Sequence, residues 1–117
     1  KAENASLKYS LHADQPMFES NPLSLLHTAV NRRTRYGKTI NTKNKISVMS
    51  GLKALTINAA WQIKMEDKIG TIAPGKYADF VILDQNPLTI DSEKIKDIQV
   101  LQTIVNGNII FEKKPNL

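Results

Sequence analysis

His12 and Asp14 are the residues whose types and spacing are best suited to chemistry. They follow directly after Leu7–Leu11, a segment in which apolar and polar residues alternate. Alternation with a period of two predicts a strand, and Pro16 prevents its simple continuation. The pair would therefore lie at the carboxyl end of a strand. An aspartate there can bind a metal ion or accept a proton from an activated water molecule.

Such a His–Asp pair is also common as a purely structural feature, and the rest of the chain limits what chemistry is available. The sequence has no cysteine, which excludes a thiolate zinc site and a cysteine nucleophile. The only other histidine is His27, whereas a complete metal site needs three or four convergent ligands. The five glycines are scattered, so the chain has no phosphate-binding loop, and it has no Gly-x-Ser-x-Gly motif.

The 117-residue chain is basic, with a net charge of +5, and its positive charge is concentrated in one stretch. No aspartate or glutamate occurs between Glu19 and Glu66. A basic stretch can attract polyanions such as nucleic acid, or it can be an ordinary solvated face. Only Tyr36 and Trp61 are aromatic there, so no stacking platform accompanies the charge, and a solvated face is the preferred interpretation. The cations of this stretch are Arg32, Arg33, Arg35, Lys38, Lys43, Lys45, Lys53 and Lys64.

Two helices are predicted before the midpoint of the chain. Asn21-Pro22 indicates a helix start, because Asn caps free N–H groups and Pro at the first helical position loses no hydrogen bond. Apolar residues follow at helical spacing, and Gly37 is predicted to end this helix. The second helix is predicted from Ser47 to about Trp61. Within it, Gly51 costs about 1 kcal/mol relative to Ala, so we expect a close contact that requires a small residue.

The last third of the chain predicts strands joined by tight turns. Pro74-Gly75 suits the two central positions of a type II turn, because Gly accepts a positive φ. Asn106-Gly107 is a strong signal for a two-residue β-hairpin. Strands are predicted at 79–84, 100–105 and 108–111, with a loop or a single helical turn at 91–97.

Three segments of this sequence resemble one known family. Residues 70–84 read Gly-Thr-Ile-Ala-Pro-Gly-Lys-Tyr-Ala-Asp-Phe-Val-Ile-Leu-Asp, which resembles the closing signature of the amidohydrolase superfamily of metal-dependent hydrolases. Residues 54–60 resemble the helix before that signature, and residues 103–110 resemble the hairpin after it. Asp14 matches the aspartate at the end of the eighth barrel strand. The resemblance is closest to the amidohydrolase-3 type, and within it to the exoenzyme regulatory protein (AepA) group.

The resemblance implies an α+β fragment of a larger enzyme. Residues 1–69 would be the last strand and helices of a (β/α)8 barrel, in which catalytic side chains lie at the carboxyl ends of strands. Residues 70–117 would be the C-terminal strands of a composite β-sandwich to which both chain ends contribute. The other metal ligands of the family, mainly histidines of earlier strands, have no counterpart in this chain.

The resemblance also implies an activity for the complete protein, namely hydrolysis of an amide or cyclic amide C–N bond by metal-activated water. The metal would be divalent, with zinc expected, and Asp14 would be both a metal ligand and the catalytic proton acceptor. His12 stands where many relatives have Gly. It would orient Asp14 or touch substrate, or else pack as a structural side chain, and both alternatives remain open. The fragment alone is expected to be inactive and to retain no metal.

The other residues of the matched segments are predicted to be structural. Asp79 would bond nearby backbone, while Thr56 and Asn58 would bond between a helix and a loop. Lys76, next to the Pro-Gly turn, would be solvated.

The expected partner of the complete protein is a small amide substrate, with neither a membrane nor nucleic acid as a partner. Without the strands from the other chain end, the sheet would have an exposed edge. We therefore expect the fragment to self-associate through its sheet edges. The alternative function is a basic regulatory module that binds nucleic acid or protein without catalysis.

Overall fold

The structure is a computed structural model that describes residues 5–115, and in it the helices precede the strands. The three α-helices are α1 (Pro22–Asn31), α2 (Val48–Leu55) and α3 (Ile57–Gln62). The strands are β1 (Phe80–Leu83), β2 (Val100–Val105) and β3 (Asn108–Glu112), in one antiparallel sheet of order β1–β2–β3. Two short 3₁₀ helices lie at Thr42–Asn44 and Ser92–Asp97. This mixed content agrees with the predicted class, whereas the assignment to barrel and sandwich stays a prediction.

Helix α1 begins as predicted but ends earlier. The side chain of Asn21 accepts hydrogen bonds from the first free N–H groups of the helix. The helix ends at Asn31, and the prediction of Gly37 as its end was wrong. Arg32 itself adopts the left-handed conformation that terminates a helix (φ 54°). The chain then turns back through an antiparallel bridge between Arg33 and Thr39, and Gly37 has its positive φ inside that turn. Residues 32–40 are called the basic hairpin below.

The predicted second helix is two helices with a break at Thr56. Ser47 caps α2 by accepting a hydrogen bond from Ser50 N. Thr56 departs from helical geometry (φ −123°, ψ −95°), and its hydroxyl donates to the carbonyl of Leu52. The predicted contact at Gly51 is confirmed, because a Cβ there would overlap the side chain of Leu26 in α1. A small residue at 51 therefore lets α1 and α2 approach closely.

The sheet follows the sequence pattern closely. Asn106 and Gly107 both have positive φ (48° and 79°), as a type I′ hairpin turn requires, so the predicted hairpin is confirmed. Gly75 has φ 86°, and Lys76 N donates to the carbonyl of Ala73, which forms the predicted Pro-Gly turn. All residues of β3 are exposed. The exposed large apolar side chains of the sheet are Val81, Ile82, Leu101, Val105, Ile109, Ile110 and Phe111.

The predicted strand at Leu7–Leu11 is not formed, which corrects that expectation. A strand is stabilised by hydrogen bonds to a neighbouring strand, and no strand of residues 5–115 lies beside this segment. Its contacts are instead with α3. The carbonyl of Tyr9 accepts a hydrogen bond from Asn58, and the Ser10 hydroxyl donates to Gln62.

The hydrophobic core joins α1 to the 3₁₀ helix Ser92–Asp97. Leu26 of α1 and Ile95 of the 3₁₀ helix are fully buried and cluster with Ile98. Beside this cluster, the buried amide of Asn31 donates to the carbonyl of Ser92 (2.8 Å) and accepts from the hydroxyl of Ser92 (2.7 Å). The core therefore spans residues on both sides of the predicted boundary at Gly70, and that boundary stays a prediction. The half-buried side chains around the cluster are Leu23, Val30, Val48, Leu52, Leu55, Leu83 and Ile90.

None of the helices within residues 5–115 is long and apolar enough to cross a membrane.

Candidate active site

Asp14 and His12 lie in a segment that α3 holds in place. Lys8 lies over the ring of Trp61, with its Nζ 4.7 Å from the ring centre. The two hydrogen bonds from Tyr9 and Ser10 to α3 follow directly along the chain. Three consecutive residues are thus tied to one short helix, just before the candidate catalytic residues.

Asp14 is exposed and has a backbone conformation of its own. Its φ is 55°, a left-handed conformation that Asp tolerates better than most residues. Its carbonyl accepts a hydrogen bond from Met17 N (2.9 Å), and Gln15–Pro16 within this turn is a cis peptide bond. The carboxylate is therefore presented at a turn, where it is accessible to water and to a ligand.

His12 is also exposed, and the strand that was predicted to carry it together with Asp14 is not formed. It lines a groove described below, together with its neighbours Leu11 and Ala13. Neither alternative for His12, contact with substrate or structural packing, is decided by this placement, so its role stays a prediction.

His27 lies in α1 and lines the same groove as His12, and its side chain is only 12% exposed. Its Nε2 is 3.7 Å from a carboxylate oxygen of Glu93, whose other oxygen is 3.1 Å from Nε of Arg33. The Arg33–Glu93 pair joins the basic hairpin to the 3₁₀ helix, and His27 of α1 lies beside it, with its Nε2 hydrogen-bonded to no described residue. Sequence reasoning missed this arrangement, because no local pattern relates residues so far apart in the chain.

A divalent metal is implied by the resemblance, and its fit can be tested against the donor set. Within residues 5–115, no group of three or more His, Asp or Glu side chains converges. Asp14 and His12 are too few donors for a structural or catalytic zinc site, which uses three or four protein ligands. The described residues therefore do not form a metal site by themselves.

An open groove of about 800 Å³ lies beside this segment. It is bounded by Leu11, His12 and Ala13, by one face of α1, and by the basic hairpin. Arg32, Arg33 and Arg35 line it. The absence of Asp and Glu between Glu19 and Glu66 was the sequence signal for this positively charged side of the groove. The groove itself depends on the turn after α1.

Of the four residues that were predicted to be structural, two are placed as predicted. Asp79 accepts a hydrogen bond from Asn106 N (2.8 Å), which anchors the hairpin turn, and Asn58 bonds the first segment as described. The hydroxyl of Thr56 donates to the carbonyl of Leu52 in α2, so the prediction that Thr56 bonds a helix to a loop was wrong. The prediction of a solvated Lys76 was wrong, because its Nζ donates to the carbonyl of Glu66 (2.5 Å) and to the hydroxyl of Thr71 (2.6 Å).

Known proteins resemble this chain in both sequence and structure. The N-substituted formamide deformylase of Arthrobacter pascens is 29% identical over 110 residues, which cover 94% of this chain and 20% of the deformylase. An amidohydrolase from Thermotoga maritima MSB8 superposes with a TM-score of 0.67 at 26% identity, covering 95% of this chain and 24% of that protein. The guanine deaminase of E. coli superposes with a TM-score of 0.69 at 21% identity, covering 97% and 29%. That last likeness shows a shared fold only.

The chain spans about a fifth of the length of the curated relatives it matches. Its sequence also matches the Amidohydrolase family over residues 1–111, which is nearly its whole length. The chain therefore belongs to the amidohydrolase family.

Proposed function

We propose that this chain is the C-terminal part of a metal-dependent amidohydrolase. The complete protein would hydrolyse an amide or cyclic amide C–N bond, and the chain alone would be inactive. Two findings support this proposal: the family match over residues 1–111, and the small share of the relatives' length that the chain covers. The observation that carries it is the exposed carboxylate of Asp14, presented at a turn directly after a segment fixed on α3.

Asp14 acts in this proposal as a proton carrier. Its carboxylate accepts a proton from the attacking water and returns it to the nitrogen that leaves, so it is regenerated in each cycle. Because the side chain is exposed at a turn, it can contact a substrate that another part of the complete protein holds. His12 touches the substrate or orients Asp14.

The metal is proposed to be zinc, and its other ligands would come from outside these 117 residues. Asp14 would contribute one oxygen ligand. Since the described residues hold no metal site of their own, the isolated chain is expected to bind zinc no better than an Asp14→Asn variant.

The test is Asp14→Asn in the longer protein that contains this chain. The expected result is a kcat lowered by at least about 100-fold, because general acid–base catalysis contributes about 10²–10⁴-fold. Asp67→Asn is the matched control, since Asp67 is also an exposed aspartate and lies away from the turn. Both variants are first compared with the wild type by circular dichroism. Activity retained by folded, metal-loaded Asp14→Asn protein would overturn the role of Asp14.

The second candidate is a regulatory module that binds nucleic acid, in line with the resemblance to exoenzyme regulatory proteins. The three exposed or half-exposed arginines of the basic hairpin favour it. Duplex DNA binding whose affinity falls steeply with salt would support this function. No binding at low salt would exclude it in favour of the hydrolase.

A further inference from the structure

Three separate elements form the walls of the groove beside Asp14. One wall is Leu11–Ala13, the second is α1, and the third is the basic hairpin. Its volume of about 800 Å³ lies within the range of small-molecule sites, about 300–1,000 Å³. A small organic ligand therefore fits into it.

The charge in this groove is positive. Three arginines and one lysine line it, against a single carboxylate, Glu19. Arg33 is already paired with Glu93, which lies outside the lining. The remaining excess faces the space that a ligand would occupy and favours an anion. The cations are Arg32, Arg33, Arg35 and Lys96.

Arg32 supplies a second, independent observation. Its Nε is shielded from solvent and makes no hydrogen bond to any described residue. A guanidinium matches a carboxylate in a planar, two-bond geometry. Because Nε is shielded, a carboxylate in the groove would bind the outer nitrogens of Arg32, whose residue is half-buried and lines the groove.

The groove also lies close to the proposed reacting group. Ala13 lines it, and the Cα atoms of consecutive residues such as Ala13 and Asp14 are about 3.8 Å apart. A ligand whose anionic end lies against Arg32 can therefore extend past Ala13 toward the Asp14 turn.

We propose that this groove binds the carboxylate of the substrate, with Arg32 as its principal ligand and Arg35 as a supporting cation. The substrate class is then an amide that carries a carboxylate, and neutral amides are disfavoured. This inference rests on the proposed function for its substrate. The anion site itself does not depend on hydrolysis.

The first experiment compares two probes of equal size and different charge on the 117-residue chain. N-acetylalanine carries a carboxylate and N-acetylalanine amide does not, and both are titrated by isothermal calorimetry. We expect N-acetylalanine to bind at least about tenfold more tightly, and Arg32→Gln to abolish this difference, since a hydrogen bond to a charged group accounts for a factor of that order. Lys38→Gln is the control, because Lys38 lies in the same hairpin but does not line the groove.

The same titrations can also contradict the proposal. Equal affinity for the two probes, binding of neither, or unchanged discrimination in folded Arg32→Gln protein would each overturn the proposal. If Arg32→Gln fails to fold, Arg35→Gln replaces it, with a loss of discrimination again expected.

The second experiment separates this inference from the proposed function in the longer protein. We expect Arg32→Gln to raise KM for a carboxylate-bearing amide by at least about tenfold while leaving kcat nearly unchanged. Equal hydrolysis of charged and neutral amides would sustain the hydrolase and overturn the groove. Selective binding of the charged amide without hydrolysis would sustain the groove and overturn the hydrolase.

Discussion

Two regions of the molecule use their apolar residues in opposite ways. The first is the contact between α1 and the 3₁₀ helix Ser92–Asp97, and the second is the sheet β1–β3. At the first, Leu26 and Ile95 are fully buried. In the second, Ile110 is 65% exposed and Phe111 48% exposed, although the backbone forms an antiparallel ladder with one register shift in each strand pair. The difference teaches that hydrogen-bonded regularity and apolar burial are separate requirements. The sheet satisfies only the first requirement within these residues.

The largest effect on stability is expected at the buried contact between α1 and the 3₁₀ helix. Leu26→Ala should lower the free energy of unfolding by about 2–5 kcal/mol, because it removes buried methyl groups and leaves a cavity beside Ile95. Urea unfolding followed by circular dichroism measures it. Ile110→Ala is the matched control from the sheet and should change stability far less. A similar loss for both variants would remove the distinction between the two regions.

The next effect concerns the polar pair beside the core. Asn31→Ala should cost about 1–3 kcal/mol, since it leaves groups of Ser92 without their partners at a buried contact. Ser92→Ala and the double variant complete a cycle, and we expect a coupling energy of at least about 0.5 kcal/mol. Strictly additive losses would mean that the two residues stabilise the contact independently.

A smaller effect is expected at the turn that leads into the sheet. Lys76→Met keeps the apolar stem but removes the hydrogen bonds to Glu66 and Thr71, and should cost about 1 kcal/mol. Lys94→Met is the control, because Lys94 is an exposed lysine of the 3₁₀ helix. Equal unfolding curves for the two variants would restore the prediction of a solvated Lys76.

The smallest effect on stability is expected in β3, where the consequence is association. The chain is proposed to self-associate along its exposed sheet edge. Ile110→Lys should change the free energy of unfolding by no more than about 0.5 kcal/mol but shift sedimentation toward the monomer. Lys113→Ile, which makes the segment after β3 more apolar, should do the opposite. A wild-type chain that stays monomeric at high concentration would contradict this proposal.

Local signals predicted the sheet well. The apolar runs and the Asn106-Gly107 pair predict the bounds of β2, β3 and their turn almost residue by residue. The shift in the β2–β3 register between Thr103 and Ile104 was not predicted. Asn21 likewise determined the start of α1. The end of that helix was not predictable, since Arg32 adopts a conformation that non-glycine residues rarely take.

The candidate site was predicted only in part. Asp14 and His12 were identified from their position before Pro16, but the strand that was to carry them is not formed, because no strand of residues 5–115 lies beside it. The groove was not predicted, since it depends on the fold-back of the basic hairpin against the first segment. Such a long-range arrangement leaves no periodic trace in the sequence.

The pairing of Asn31 with Ser92 joins residues 61 positions apart, and this separation has a consequence for synthesis. At about 5–20 residues per second, a ribosome needs several seconds to add the intervening chain. During that interval Leu26 can contact Gly51 of α2 but lacks Ile95, so part of the apolar face of α1 stays exposed to other nascent chains and to chaperones. The core can close only after Ser92–Ile98 has left the exit tunnel, which makes the folding of α1 a late event.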